Sequence, residues 1–92
     1  SPVFPNRGID VVFNTLPPGA STGLFGGHRR GVEEYIAVVK GRIRAHLGDR
    51  SFDLDAGDSL YFQADVDHRF DNLARGESAW FLVIDSSRLR ER

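Results

Sequence analysis

Nowhere does this chain keep apolar residues at the i, i+3, i+4, i+7 spacing of a buried helix for long, whereas short β-favouring runs return between glycine, proline and aspartate. That rhythm constrains the fold more than any other feature. It predicts strands near 10–16, 34–39, 42–47, 51–54, 59–62, 68–72 and 78–85. The separators, among them Pro17-Pro18-Gly19, Lys40-Gly41, Gly48-Asp49, Ala56-Gly57, Ala64-Asp65 and Arg75-Gly76, suit turns, because glycine accepts positive φ and proline cannot supply a ladder donor. Strands this short, at this spacing, make an all-β sandwich or a small barrel. With 92 residues the chain is read as a single domain, 1–92, whose last residues, 86–92 ("SSRLRER"), form a polar tail expected to fray.

In "RIRAHLG", Ile43, Ala45 and Leu47 face one way and Arg42, Arg44 and His46 the other, so His46 reads as a solvated sheet residue and not as a ligand. "AWFLVI", 79–84, does not alternate, which predicts a strand buried on both faces. Val38, Ile43, Leu47, Leu60, Phe70 and Leu82 are expected inside the barrel.

Bulk chemistry removes several functions. The chain has no cysteine, which excludes disulfides, thiolate zinc sites and cysteine nucleophiles together. A net charge of −1 gives no footprint for nucleic acid. No apolar run approaches the length of a membrane span, and "SPVFPNRGID" lacks the basic-then-apolar order of a signal peptide, so a cytoplasmic protein with no membrane partner is expected. The absence of methionine leaves two readings open: simple removal of the initiator before Ser1, or a fragment of something longer.

Residues 1–46 carry six Lys/Arg and three Asp/Glu, against six and ten in 47–92, and aspartates supply most of that excess. Their spacing does not match a calcium loop, so turn and surface roles are expected. "GASTGLFGG" lacks the Gly-Lys-Ser/Thr ending of a phosphate cradle, and Ser59 in "GDSLY" sits in no nucleophile elbow. The phenylalanines are assigned to the core.

The residues that carry chemistry are His28, Arg30 and Glu34, followed by Gly41, and then Gly57, His68 and Asn72. Their order and spacing resemble the two motifs of the cupins. His28, Glu34 and Gly41 match the first motif, with Gly23 one place off its first glycine; Gly57, His68 and Asn72 match the second. The resemblance covers essentially the whole chain and implies a small cupin jelly-roll β-barrel. Two departures stand out. Arg30 occupies the place of the second histidine of His-x-His, and Gln63-Ala64-Asp65 that of Pro-x-Gly.

Three readings follow for the site. A divalent transition metal such as zinc, nickel or iron could use His28, Glu34 and His68, an incomplete cupin set beside a guanidinium that cannot ligate. Alternatively Arg30 replaces the metal, and no cofactor is required. Its fork would then grip a small organic carboxylate in a pocket walled by His28 and His68, with Tyr61 or Gln63 at the mouth and Glu34 protonated or turned aside. The third is an internal Arg30–Glu34 salt bridge without a ligand.

Within the cupins, "GVEEYIAVVKGRIRAHLGDRSFDLDAGDSLYFQADVDHRF" is similar to the C-terminal sensor domains of XRE-type helix-turn-helix regulators. That resemblance implies a small-molecule sensor in which no enzyme activity need be present. It would meet DNA only through an N-terminal domain outside this chain, and would act as a homodimer. Exposed sheet edges also favour a homodimer. The alternative is a free-standing metal-dependent oxygenase or isomerase.

Overall fold

The computed structural model describes residues 8–27 and 30–90. Seven strands follow in order: β1 (Ile9–Leu16), β2 (Glu33–Lys40), β3 (Arg42–Leu47), β4 (Arg50–Asp55), β5 (Ser59–Gln63), β6 (His68–Asn72) and β7 (Ser78–Asp85). All seven predicted strands form. They build two antiparallel sheets, one in the order β1-β7-β2-β5 and one in the order β4-β3-β6. This is an all-β jelly roll, and among the described residues no strand ladder closes the two sheets into a continuous barrel.

Turn chemistry explains the connections. Gly48 and Asp49 join β3 to β4 as a two-residue hairpin loop; Gly48 has φ of 61° and, among the described residues, no non-glycine residue has positive φ, so Asp49 does not, the sign pattern of a type II′ turn. Gly41, φ 81°, turns β2 into β3 where a Cβ would run into Ser78.

Val38, Ile43 and Phe70 are buried, and Leu47, Leu60 and Leu82 pack partly buried against them, as alternation predicts. Each fully buried side chain of this kind contributes about 1.5 to 3 kcal/mol. Trp80 joins them, its ring centroid 5.7 Å from that of Phe70. The run 79–84 departs from expectation. Ala79 and Trp80 are buried, but Phe81 is exposed, because no described element covers the outer face of the four-stranded sheet.

A polar knot sews the sheets together. The Asn72 amide donates to the carbonyls of Leu16, Pro17 and Gly76 at 2.9–3.0 Å, and its oxygen accepts from Ser78 Oγ at 2.6 Å and from the Ala74 amide at 2.8 Å. One side chain on β6 thereby holds the end of β1 and the start of β7.

The segment between β1 and β2 covers the free edge of β6. Thr22 donates to the Phe70 carbonyl at 2.9 Å, Phe25 to that of His68 at 2.8 Å, and His68 back to that of Phe25 at 2.9 Å. The predicted fraying of the tail is corrected in part: Ser87–Arg90 forms a 3₁₀ turn, seated by Ser87 donating twice to Asp85 Oδ1. Among the described residues no helix is long and apolar enough to cross a membrane.

Candidate functional site

Strand parity decides what enters the interior. On β2, Glu34 points inward with Ile36 and Val38, and its strand neighbours are Phe62 on β5 and Ile84 on β7. His68 opens β6, locked in place by the paired bonds to Phe25. Both side chains are sealed from bulk water, Glu34 at 1 % exposure and His68 at 3 %.

The histidine tautomer follows from its partner. Nδ1 lies 3.0 Å from the Val66 carbonyl, which can only accept, so Nδ1 carries a proton. Nε2 then faces Glu34, 3.8 Å from Oε2. Rings of Phe25, Phe62 and Phe70 surround the imidazole at centroid distances of 5.5, 5.6 and 6.1 Å.

Beside this pair lies a cavity of about 270 Å³. Phe25 and Gly26 from the β6-edge segment form one wall; Glu34, His68, Phe70, Leu82 and Ile84 from the strands form the rest. Among its described lining residues, Glu34 and His68 supply the polar side chains. A cavity of about 150 Å³ suffices for benzene, so this one has room for a ring with a short polar arm.

The structure brings together two of the six expected ligand-binding residues, Glu34 and His68. Arg30 is exposed in the turn before β2 and is not among the described residues lining the cavity. The placement of Tyr61 and Gln63 at the mouth is also corrected, and strand parity is the reason. Phe62 points inward, so its neighbours on β5 point outward, where Tyr61 donates to Glu33 Oε2 at 3.0 Å and Gln63 donates to the Tyr61 hydroxyl at 2.7 Å. Burial, then the Glu33 contact, pushes the Tyr61 hydroxyl above its ordinary pKa. Tyr61 and Gln63 border a different hollow, shared with Arg50 and Phe52. His28 lies outside the described residues.

Phe25 and Gly26, which the motifs do not mark, were missed as cavity wall. Their signal was weak: a glycine-rich stretch between two strands, which the sequence reading only excluded as a phosphate cradle. The aspartates take the expected turn and surface roles. Asp58 accepts from the Asp55 amide at 2.8 Å, and Asp67 accepts from the Gly27 amide at 3.1 Å.

Among the described residues no three His, Asp or Glu side chains converge. Glu34 and His68 are two donors, fewer than a tetrahedral zinc site or a facial iron triad needs. The described residues do not fit a metal by themselves.

A two-sheet jelly roll that encloses a carboxyl facing an imidazole beside an apolar cavity is a cupin-type barrel. The chain belongs to the Cupin_2 family, the Cupin domain, whose family model matches residues 12–85. It is 32 % identical over 72 residues to the HTH-type transcriptional regulator PuuR of Escherichia coli (strain K12). That match takes in 78 % of this chain and 38 % of the regulator, so the chain spans well under half the length of this relative.

Among solved structures, the Cupin_2 domain of an XRE family transcriptional regulator from Enterobacter cloacae superposes with a TM-score of 0.81 at 23 % identity, over 92 % of both chains. A predicted oxalate decarboxylase from Thermotoga maritima superposes with a TM-score of 0.72 at 24 % identity, over 82 % of this chain and 64 % of that one. At such identities the two structures speak for the fold alone.

Proposed function

We propose that this cupin is the effector-binding sensor of a helix-turn-helix transcriptional regulator. The observation that carries the reading is the cavity whose described lining is apolar but for Glu34 and His68, in a chain whose sequence is similar to part of PuuR. DNA would be met by another domain, since a net charge of −1 supplies no phosphate-binding surface.

The chemistry of the cavity selects the effector. No Lys or Arg is among its described lining residues, and Glu34 forms its polar end with His68. The carboxylate effector expected from Arg30 therefore loses its anchor. A small molecule with an apolar body and a head that donates hydrogen bonds, an ammonium or a hydroxyl, fits better. Such a ligand would press on Phe25 and Gly26, the wall held to β6 by backbone bonds, and so would reach the segment that leads into β2.

Calorimetry with benzylamine, benzyl alcohol and phenylacetate tests this, because the three share a ring and differ in head group. The expected order is benzylamine first, benzyl alcohol second and phenylacetate last, at about millimolar strength for fragments of this size. Glu34→Gln should erase the preference for the amine. Tightest binding by phenylacetate would overturn the head-group assignment.

A second reading is kept because Glu34 and His68 stand 3.8 Å apart. With His28 they would make a metal site for an oxygenase or isomerase. Elemental analysis of untagged protein decides it. One zinc, nickel or iron per chain, lost in His68→Ala, would favour the enzyme, and trace metal would favour the sensor.

A further inference from the structure

β4 and β5 are each the last strand of a sheet, and among the described residues no ladder joins them. A hollow of about 350 Å³ lies in the seam between them, and it shares no described lining residue with the cavity beside Glu34 and His68. Leu47, Phe52, Leu60, Phe62 and Val66 give it apolar walls. Phe62 is the most buried of these, its ring centroid 5.6 Å from that of the His68 imidazole.

One cation borders the hollow. Arg50 lies on the same face of β4 as Phe52 and the buried Leu54, and its guanidinium carbon stands 5.0 Å from the Phe52 ring centroid. Attraction between cation and ring holds the guanidinium there while its N–H fork stays available. Other arginines are engaged by carboxylates, Arg44 by Asp53 and Arg69 by Asp71, but Arg50 has no such partner among the described residues. The edge of β5 adds main-chain groups. Ala64 donates to the Val32 carbonyl at 2.9 Å, and bonded pairs alternate along an antiparallel ladder, so the N–H and C=O groups of Tyr61 and Gln63 point to the free edge. Glu33, opposite Gln63, already accepts from the Tyr61 hydroxyl at 3.0 Å and lies 3.8 Å from Arg88.

We propose that the seam between β4 and β5 is a second binding site, for a small organic carboxylate. One guanidinium without a partner matches one negative charge, and its two parallel donors match the two carboxylate oxygens. The apolar walls take the body of the ligand. Since about 150 Å³ suffices for benzene, a ring with a short carboxylate arm fits the hollow. The charge that the cavity disfavours is the one the seam takes. This inference does not depend on the effector reading, because the site uses neither Glu34 nor His68.

Titration of the 92-residue chain with phenylacetate, followed by amide shifts in nuclear magnetic resonance, tests it. Binding should saturate with a dissociation constant of about 1 to 10 mM, and the shifts should gather at Arg50, Phe52, Tyr61 and Gln63. Arg50→Ala should weaken binding at least about tenfold, and Arg50→Lys nearly as much, because an ammonium cannot present two parallel donors. Arg50 is exposed, so neither substitution disturbs the core. Glu34→Gln should leave phenylacetate at the seam unchanged, and in Arg50→Ala the head-group preference of the cavity is read alone, so the two sites succeed or fail separately. An affinity untouched by Arg50→Ala, shifts confined to Phe25, Glu34 and His68, or no saturation by about 50 mM overturns the proposal.

Discussion

The two sheets turn similar apolar faces inward and very different faces outward. Outside the three-stranded sheet, Arg44 grips Asp53 with Nε at 2.7 Å and Nη2 at 3.1 Å, and Arg42 reaches the same carboxylate at 3.4 Å. His46 donates from Nε2 to Asp71 at 2.8 Å, and its Nδ1 takes the Ser51 hydroxyl at 3.2 Å. Every strand of that face carries charge. Outside the four-stranded sheet, the rows Val11–Val83–Tyr35–Tyr61 and Phe13–Phe81–Ala37–Ser59 carry none. Burial on one side dictates only half of a strand's residues; the other half records what the outer face meets. A face knitted by cross-strand ion pairs is suited to water, and one tiled with phenylalanine, tyrosine and valine is suited to another protein surface.

The contrast presupposes that the sheets are held in one body, and the largest effect comes from cutting the knot that holds them. Asn72→Ala strands several buried carbonyls and the Ser78 hydroxyl, so unfolding in urea should show a loss of at least about 3 kcal/mol. A loss below about 1 kcal/mol would mean that packing alone joins the sheets.

Next comes the exchange of character between faces. A charge on the apolar side, as in Phe81→Lys, should abolish assembly into the expected homodimer, read by sedimentation velocity. Removal of a charge on the polar side, as in Asp71→Ala, should leave assembly intact and cost about 1 to 3 kcal/mol of fold stability, because His46, Arg69 and Ser21 lose a half-buried acceptor. If Asp71→Ala dissociates the dimer, the division between the faces fails.

Acid should sharpen the contrast. Burial pushes the Asp71 carboxyl up, but hydrogen bonds from Ser21 and His46 and the charge of Arg69 outweigh it and hold the group below its ordinary range. The Arg44 hydrogen bond does the same for Asp53, and the Ser87 hydroxyl for Asp85. A carboxylate with a lowered folded pKa stabilises the fold above its unfolded value of about 3.8 and loses that contribution as pH falls through the folded pKa. Thermal melts should therefore change little through these groups between about pH 7 and 5, and fall below about pH 4. Asp53→Asn should blunt the fall.

Salt gives the smallest effect. Raising sodium chloride from about 0.15 to 1 M shortens the screening length from about 8 to 3 Å, which weakens the exposed Arg44–Asp53 pair and should lower fold stability by less than about 1 kcal/mol in urea unfolding.

Much of this was legible in the sequence, for identifiable reasons. Glycine and aspartate turns between alternating runs marked every strand, and motif spacing marked Glu34 and His68. Parity could also have placed Tyr61 and Gln63 outside, since they flank the apolar Phe62 on a five-residue strand. Phe81 was harder, because "AWFLVI" is apolar throughout and only the missing layer above it reveals which residues are exposed. Arg30 depends on the course of a turn that residue spacing does not specify. The cavity depends on Phe25 and Gly26 running along β6, a long-range pairing without a local signature.

Ligand binding inside the barrel is tested most directly through the single tryptophan. Trp80 is buried against Phe70, which lines the cavity. Titration with benzylamine should change its emission saturably, equally in Val11→Glu and Asp53→Asn, and Ile84→Phe, which fills the cavity, should abolish the change. A signal that never saturates, or that survives Ile84→Phe undiminished, would place the ligand elsewhere and contradict the sensor reading.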